Sequence, residues 1–250
     1  MNLRGLHMLE NMWIRHPTGN LEPPALCRLF SPLVRMVYHF LGPCGGRSFL
    51  REMRVADSLY LSLWFQNYED EKMLDGLAAV LRSFPFSEEA KGVSYVSVQP
   101  VSWSESSVFE HRFTPPVAPL EAVDLVVEYA AEDYAICFEA WWDLWLPPED
   151  GGEWVLTPVK VSFTAQGREF DEGIYAEQGH VQIDFGIDEP FVHEEALPAL
   201  DEKKLQANIA TLAAYAHRIE QSCELAGKNL WSDSDSNLAQ KLIARLEGGQ

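Results

Sequence analysis

The chain has 250 residues, 47% of them hydrophobic and 12% aromatic, with a formal net charge of −19. That apolar content is enough for a packed core and excludes global disorder, and the length allows one large domain or two small ones. The acidity argues against a nucleic-acid groove, because phosphate affinity rests on Lys and Arg.

The charge is uneven. Residues 1–52 hold six Arg, no Lys and three Glu, a net of +3, which leaves 13 basic and 35 acidic groups, a net of −22, in residues 53–250. Such asymmetry marks segments of different role or origin. Within 1–52, the stretch Ala25 to Leu41 is apolar but interrupted by Arg28, Pro32, Arg35 and His39. It is too short and too charged for a membrane span or a clean export signal. Three readings stand: a basic arm docking on the acidic body, a poor export signal, or a non-native segment with translation starting at Met53. The third is favoured, which makes 53–250 the single folded domain.

Residues 59–66 alternate, with Leu59, Leu61, Leu63 and Phe65 on one face and Tyr60, Ser62, Trp64 and Gln66 on the other. This predicts a half-buried strand. Asp70 is placed to cap a helix over 71–83, which Phe84-Pro85 ends. Strands are expected over 93–101 and 108–113, followed by a rigid connection at Pro115, Pro116 and Pro119. The β-branched run at 123–129 predicts another strand, with a turn at 130–133. Tyr134 to Leu146 reads as a long strand. Tyr134, Ile136, Phe138, Ala140, Trp142 and Leu144 share one face, and Cys137, Glu139, Trp141, Asp143 and Trp145 share the other. A Pro- and Gly-rich loop over 147–152 precedes a strand over 154–165, a short strand over 169–175 and a last strand over 181–187. Asp201 is placed to cap a long helix over 202–228, and a final helix carries Leu238, Leu242 and Leu246.

This order predicts an α+β fold: one large, mainly antiparallel sheet with the helices packed on one face. The alternative is a ferredoxin-like βαββαβ core with extra strands, should residues 120–131 be helical.

Few motifs carry chemistry. The cysteines Cys27, Cys44, Cys137 and Cys223 have no paired short spacing, so reduced, buried thiols and a cytoplasmic location are expected. His180 and Asp184, with His193, Glu169, Asp171 or Glu172, lack a specific metal-ligand spacing and read as solvated turn residues. The run 233–237 imitates the start of a calcium loop, but Leu238 stands where Gly is needed. No metal and no cofactor is expected.

The face opposite the helices is the informative one. If Leu63, Phe138, Val161 and Phe185 face the helices, then Trp64, Glu139, Trp141, Asp143, Trp145 and Asp184, with Lys160, share the other side. Apolar area of that size on an open sheet marks an interface or a ligand groove. The function expected is non-enzymatic binding or assembly through this face, most simply as a homodimer or with another protein partner. The alternative is a small-molecule hydrolase using Glu139 or Asp184, since carboxylates beside an apolar wall suit acid–base work.

Overall fold

The computed structural model describes residues 57–148, 152–193, 197–232, 238, 241, 242 and 245. The expectations for residues 1–52, for a start at Met53, for the calcium-like run 233–237 and for Leu246 lie outside the described residues.

Seven strands form one antiparallel sheet: β1 (Ser58–Phe65), β2 (Val93–Pro100), β3 (Phe109–Val117), β4 (Tyr134–Leu146), β5 (Val155–Gln166), β6 (Val181–Ile187) and β7 (Leu225–Ser232). Their order is β3-β2-β4-β5-β6-β1-β7. The helices are α1 (Met73–Arg82), α2 (Pro119–Asp124), the single turn α3 (Tyr175–Gln178) and α4 (Ala199–Ser222).

The period-2 pattern sets the two faces. Leu59, Leu61 and Leu63 of β1, Phe138 and Trp142 of β4, Val161 and Phe163 of β5, and Val181, Ile183 and Phe185 of β6 are buried. They meet Leu74, Leu77 and Leu81 of α1 and Leu205, Ile209, Leu212, Ala216 and Ile219 of α4 in one core. The stripes recur at three- and four-residue spacing, which aims one face of each helix at the sheet. Tyr215 strengthens the helix pair, its buried hydroxyl donating to the Val80 carbonyl at 3.3 Å.

Several expectations are corrected. Residues 119–129 are helical, with α2 followed by a 3-10 turn over Val127–Tyr129. Pro119 opens the helix, where its missing N–H is not needed. Ala122 and Val126 are buried while Leu125 and Val127 are exposed, a four-residue spacing that outweighs β-branched propensity. The ferredoxin-like order does not follow from this, because β5 and β6 separate β1 from β2, β3 and β4.

Residues 169–175 are not a strand. They form a tight 3-10 turn, Phe170–Gly173, with Asp171 and Glu172 in the left-handed region (φ 46° and 59°), leading into α3. The last long helix stops at Ser222, and Leu225–Ser232 becomes β7, an edge strand on β1. Lys228 on the helix side of β7 pairs with Glu220 of α4 and ties the strand back; burial lowers its pKa and Glu220 opposes that shift.

Neither predicted cap acts as one. Asp70 begins a 3-10 turn and makes no capping bond, and Pro198 rather than Asp201 precedes α4. Pro115 and Pro116 lie inside β3. An edge strand tolerates them because its outer side needs no donors.

β4 is longer than β2, so its far edge needs other partners. The Ser87 N–H donates to the Trp141 carbonyl at 2.7 Å. Beyond it, buried Asn208 of α4 serves Trp145: its Oδ1 accepts the Trp145 N–H at 3.0 Å, and its Nδ2 donates to the Trp145 and Pro190 carbonyls at 2.8 and 2.9 Å. One amide thus completes the strand end. Asn208→Leu is expected to lower the unfolding free energy by about 3 kcal/mol, since a donor and two acceptors lose their partner. Urea unfolding measures this; a loss under about 1 kcal/mol would show that the amide is not what holds the strand end.

Candidate functional site

The face away from α1 and α4 carries two unbroken cross-strand rows. Glu110, Ser97, Cys137, Thr164, Gln182, Ser62 and Asn229 are in register across all seven strands. The adjacent row is Arg112, Tyr95, Glu139, Ser162, Asp184, Tyr60 and Trp231. Neighbours in a row stand within side-chain reach of one another.

Contacts along these rows are specific. The Arg112 guanidinium lies over the Tyr95 ring at 5.1 Å. Lys160 Nζ meets Glu139 Oε1 at 2.8 Å. Tyr60 stacks on Trp231 at 4.5 Å, and the Trp231 indole N–H donates to the Ser62 hydroxyl at 3.0 Å. Cys137 Sγ lies 3.5 Å from Thr164 Oγ1, and burial of the thiol raises its pKa.

The predicted residues divide between places. Glu139 and Asp184 share the second row, and Trp141 sits beside it, opposite Lys160 on β5. Asp143 lies further along β4, where its Oδ2 accepts the Glu88 N–H at 3.1 Å. Trp145, near the end of β4, packs against the core with Lys204 of α4 5.1 Å above its ring. Trp64 belongs to the opposite end. The residues from Ala135 to Trp141 separate its level from that of Trp141, about 20 Å along the strands, with about 14 Å across them. Trp64 is only 8% exposed, and its indole N–H donates to the Tyr175 carbonyl at 3.1 Å. Alternation predicts three tryptophans on one face; register sends Trp64 and Trp141 to opposite ends of it, and Trp145 at the strand end packs on the core instead.

At the Trp64 end, the turn after β5 folds over the sheet and builds a polar cluster. His180 is stacked between Tyr68 (3.8 Å between ring centres) and Tyr175 (5.1 Å). Its Nδ1 accepts the Phe65 N–H at 3.0 Å, which places the proton of the neutral ring on Nε2. Burial pushes the pKa of His180 down to about 4, with Arg168 adding to the shift and Asp70 opposing it. Tyr68 donates to the Gln166 carbonyl at 2.8 Å, and burial with the nearby Asp70 raises its pKa. Asp70, itself buried, accepts the Arg168 N–H at 2.8 Å and the Arg168 Nε–H at 2.7 Å. Gly179 must be glycine here: its φ is +92°, and a Cβ would stand 2.7 Å from the Leu63 nitrogen.

Sequence reasoning missed Trp231, Tyr68 and Tyr175. Trp231 lies just past the predicted helix end at 228, which hides the start of its strand; Gly227 near that end and the alternation after it are the signal for a strand. Tyr68 and Tyr175 lie outside regular strands, where no period announces a face.

Chemically, the rows offer aromatic faces, ion pairs and hydroxyls rather than a reactive pair. The Glu139 carboxylate is held by Lys160, and Asp184 Oδ1 accepts the Gly186 N–H at 2.8 Å. Among the described residues, no three or more His, Cys, Asp and Glu side chains come together to hold a metal ion, and no helix is long and apolar enough to cross a membrane. No protein-family profile, curated protein or solved structure matches this chain.

Proposed function

We propose that the protein is a non-enzymatic assembly protein that pairs with a second copy of itself through the outer sheet face. One observation carries this reading. The central rows of the face combine half-buried Tyr60, Tyr95, Trp141 and Trp231 with nearly balanced charge, Glu110, Glu139 and Asp184 against Arg112 and Lys160, with Asp143 further along β4, on a chain of net charge −19. Two such acidic molecules repel over most of their surface. The face where the charges nearly cancel is where copies meet at least electrostatic cost, and aromatic groups with few net charges suit an interface core.

Trp141→Glu is expected to convert a dimer to a monomer in multi-angle light scattering, with far-ultraviolet circular dichroism unchanged. A monomeric wild type at high protein concentration would sink the proposal, as would a variant that remains dimeric.

A further inference from the structure

A second apolar surface lies at the end of the sheet away from Trp141. Three segments meet there through backbone hydrogen bonds. The Val101 N–H donates to the Asp133 carbonyl at 2.7 Å, the Asp171 N–H donates to the Val101 carbonyl at 2.7 Å, and the Glu169 N–H donates to the Glu132 carbonyl at 2.7 Å. Val101 and Asp171, both at positive φ (59° and 46°), are thus locked to each other. A β-branched residue in that region is strained and persists only where its surroundings hold it. On this fixed base stand Val101, 57% exposed, and Trp103, 44% exposed, whose ring meets buried Phe170 edge-on at 5.0 Å.

The surroundings are acidic. Residues 101–108, 127–134 and 167–173 contain Glu105, Glu128, Glu132, Asp133, Glu169, Asp171 and Glu172, and Arg168 is their only Lys or Arg. Arg168 is already bound to Asp70. An exposed indole on segments this rich in carboxylates complements a cationic partner: its face attracts Arg or Lys, and the surrounding negative charge draws positive charge from a distance.

We propose that this end of the sheet docks a basic segment of another protein, with an Arg or Lys seated on Trp103 and its apolar neighbours on Val101. The surface is separate from the outer face near Trp141, so the two proposals stand or fall independently.

The test uses the full chain and a synthetic peptide of alternating Arg and Leu, with fluorescence anisotropy of the labelled peptide as readout. Binding is expected at low salt and is expected to weaken as salt rises. Trp103→Ser, an exposed change with little effect on folding, is expected to weaken it about tenfold. Glu132→Gln combined with Glu169→Gln and Glu172→Gln is expected to act similarly. No binding to the wild type, or equal affinity for the wild type and Trp103→Ser, would overturn the proposal. A photo-reactive benzoylphenylalanine at position 103 separates the occupants. Cross-links to the peptide support a foreign basic partner; cross-links to residues 1–52 of the same chain, or to a second copy, overturn it.

Discussion

Trp142→Ala is expected to lower the unfolding free energy by about 4 kcal/mol. The ring is 2% exposed. Its centre lies 5.8 Å from Phe84 after α1, 5.5 Å from Phe185 of β6, 6.1 Å from Phe191 and 6.3 Å from Tyr215 of α4. One side chain therefore joins the sheet to α4, to the segment after α1 and to the segment after β6. Alanine removes the transfer free energy of the indole and leaves a cavity, because a close-packed core relaxes only in part. For a chain of this size the loss corresponds to a fall in Tm of about 10 °C. Trp142→Phe refills much of the space and is expected to cost about half as much. Thermal and urea unfolding of both variants measure the difference; a loss for the alanine variant no greater than that of the phenylalanine variant would show that the packing around Trp142 is not limiting.

Acid is expected to destabilise the fold through His180, with the loss beginning below about pH 6.5. The unfolded residue titrates near its ordinary value of about 6.5, while burial holds the folded residue at about 4. Between these values the unfolded chain binds more protons, so stability rises with pH across the window. The contribution is fully present above about pH 6.5, and on the order of 3 kcal/mol is lost by about pH 4. The structural cause is specific. Protonating Nδ1 removes the acceptor for the Phe65 N–H and puts a cation between Tyr68 and Tyr175. Asp70 and Arg168 face this group with opposite charge and oppose each other, and burial, the largest cause, sets the sign. His180→Gln keeps a hydrogen-bond acceptor without a titrating ring. Its unfolding free energy between pH 6.5 and 4 is expected to fall less steeply than that of the wild type, by up to about one proton's worth of slope. Parallel wild-type and variant curves would show that the carboxylates alone account for acid sensitivity.

The residues that matter in these two experiments differ in how far sequence announces them. Trp142 is legible: it stands at an inward position in a long alternating run, and the structure keeps that parity through Leu144. The same pattern made the outward positions of Glu139, Trp141 and Asp184 legible. His180 reads in the sequence as a solvated turn residue, whereas the structure buries it to 8% exposure. Its partners Tyr68, in the loop after β1, and Tyr175, at the start of α3, lie about a hundred residues apart in sequence, and no local pattern records that meeting.

What the sequence determined by itself was the binary pattern of β1, β2, β4, β5 and β6: that these strands exist, which of their faces is apolar, and that α1 and α4 cover one side; the strands it also suggests at 123–129 and 169–175 do not form. Those features follow from period-2 and period-3.6 burial, which are local. Tertiary structure alone decided three things. It turned Leu225–Ser232 into a strand, because the free edge of β1 supplies hydrogen bonds that a continued helix would leave unused. It made residues 119–129 helical, because Ala122 and Val126 find the core four residues apart. It also set the register that aligns Arg112 with Trp231 across seven strands and sends Trp64 and Trp141 to opposite ends of one face. Register depends on pairings between residues far apart in the chain, so alternation could name the face without naming its neighbours.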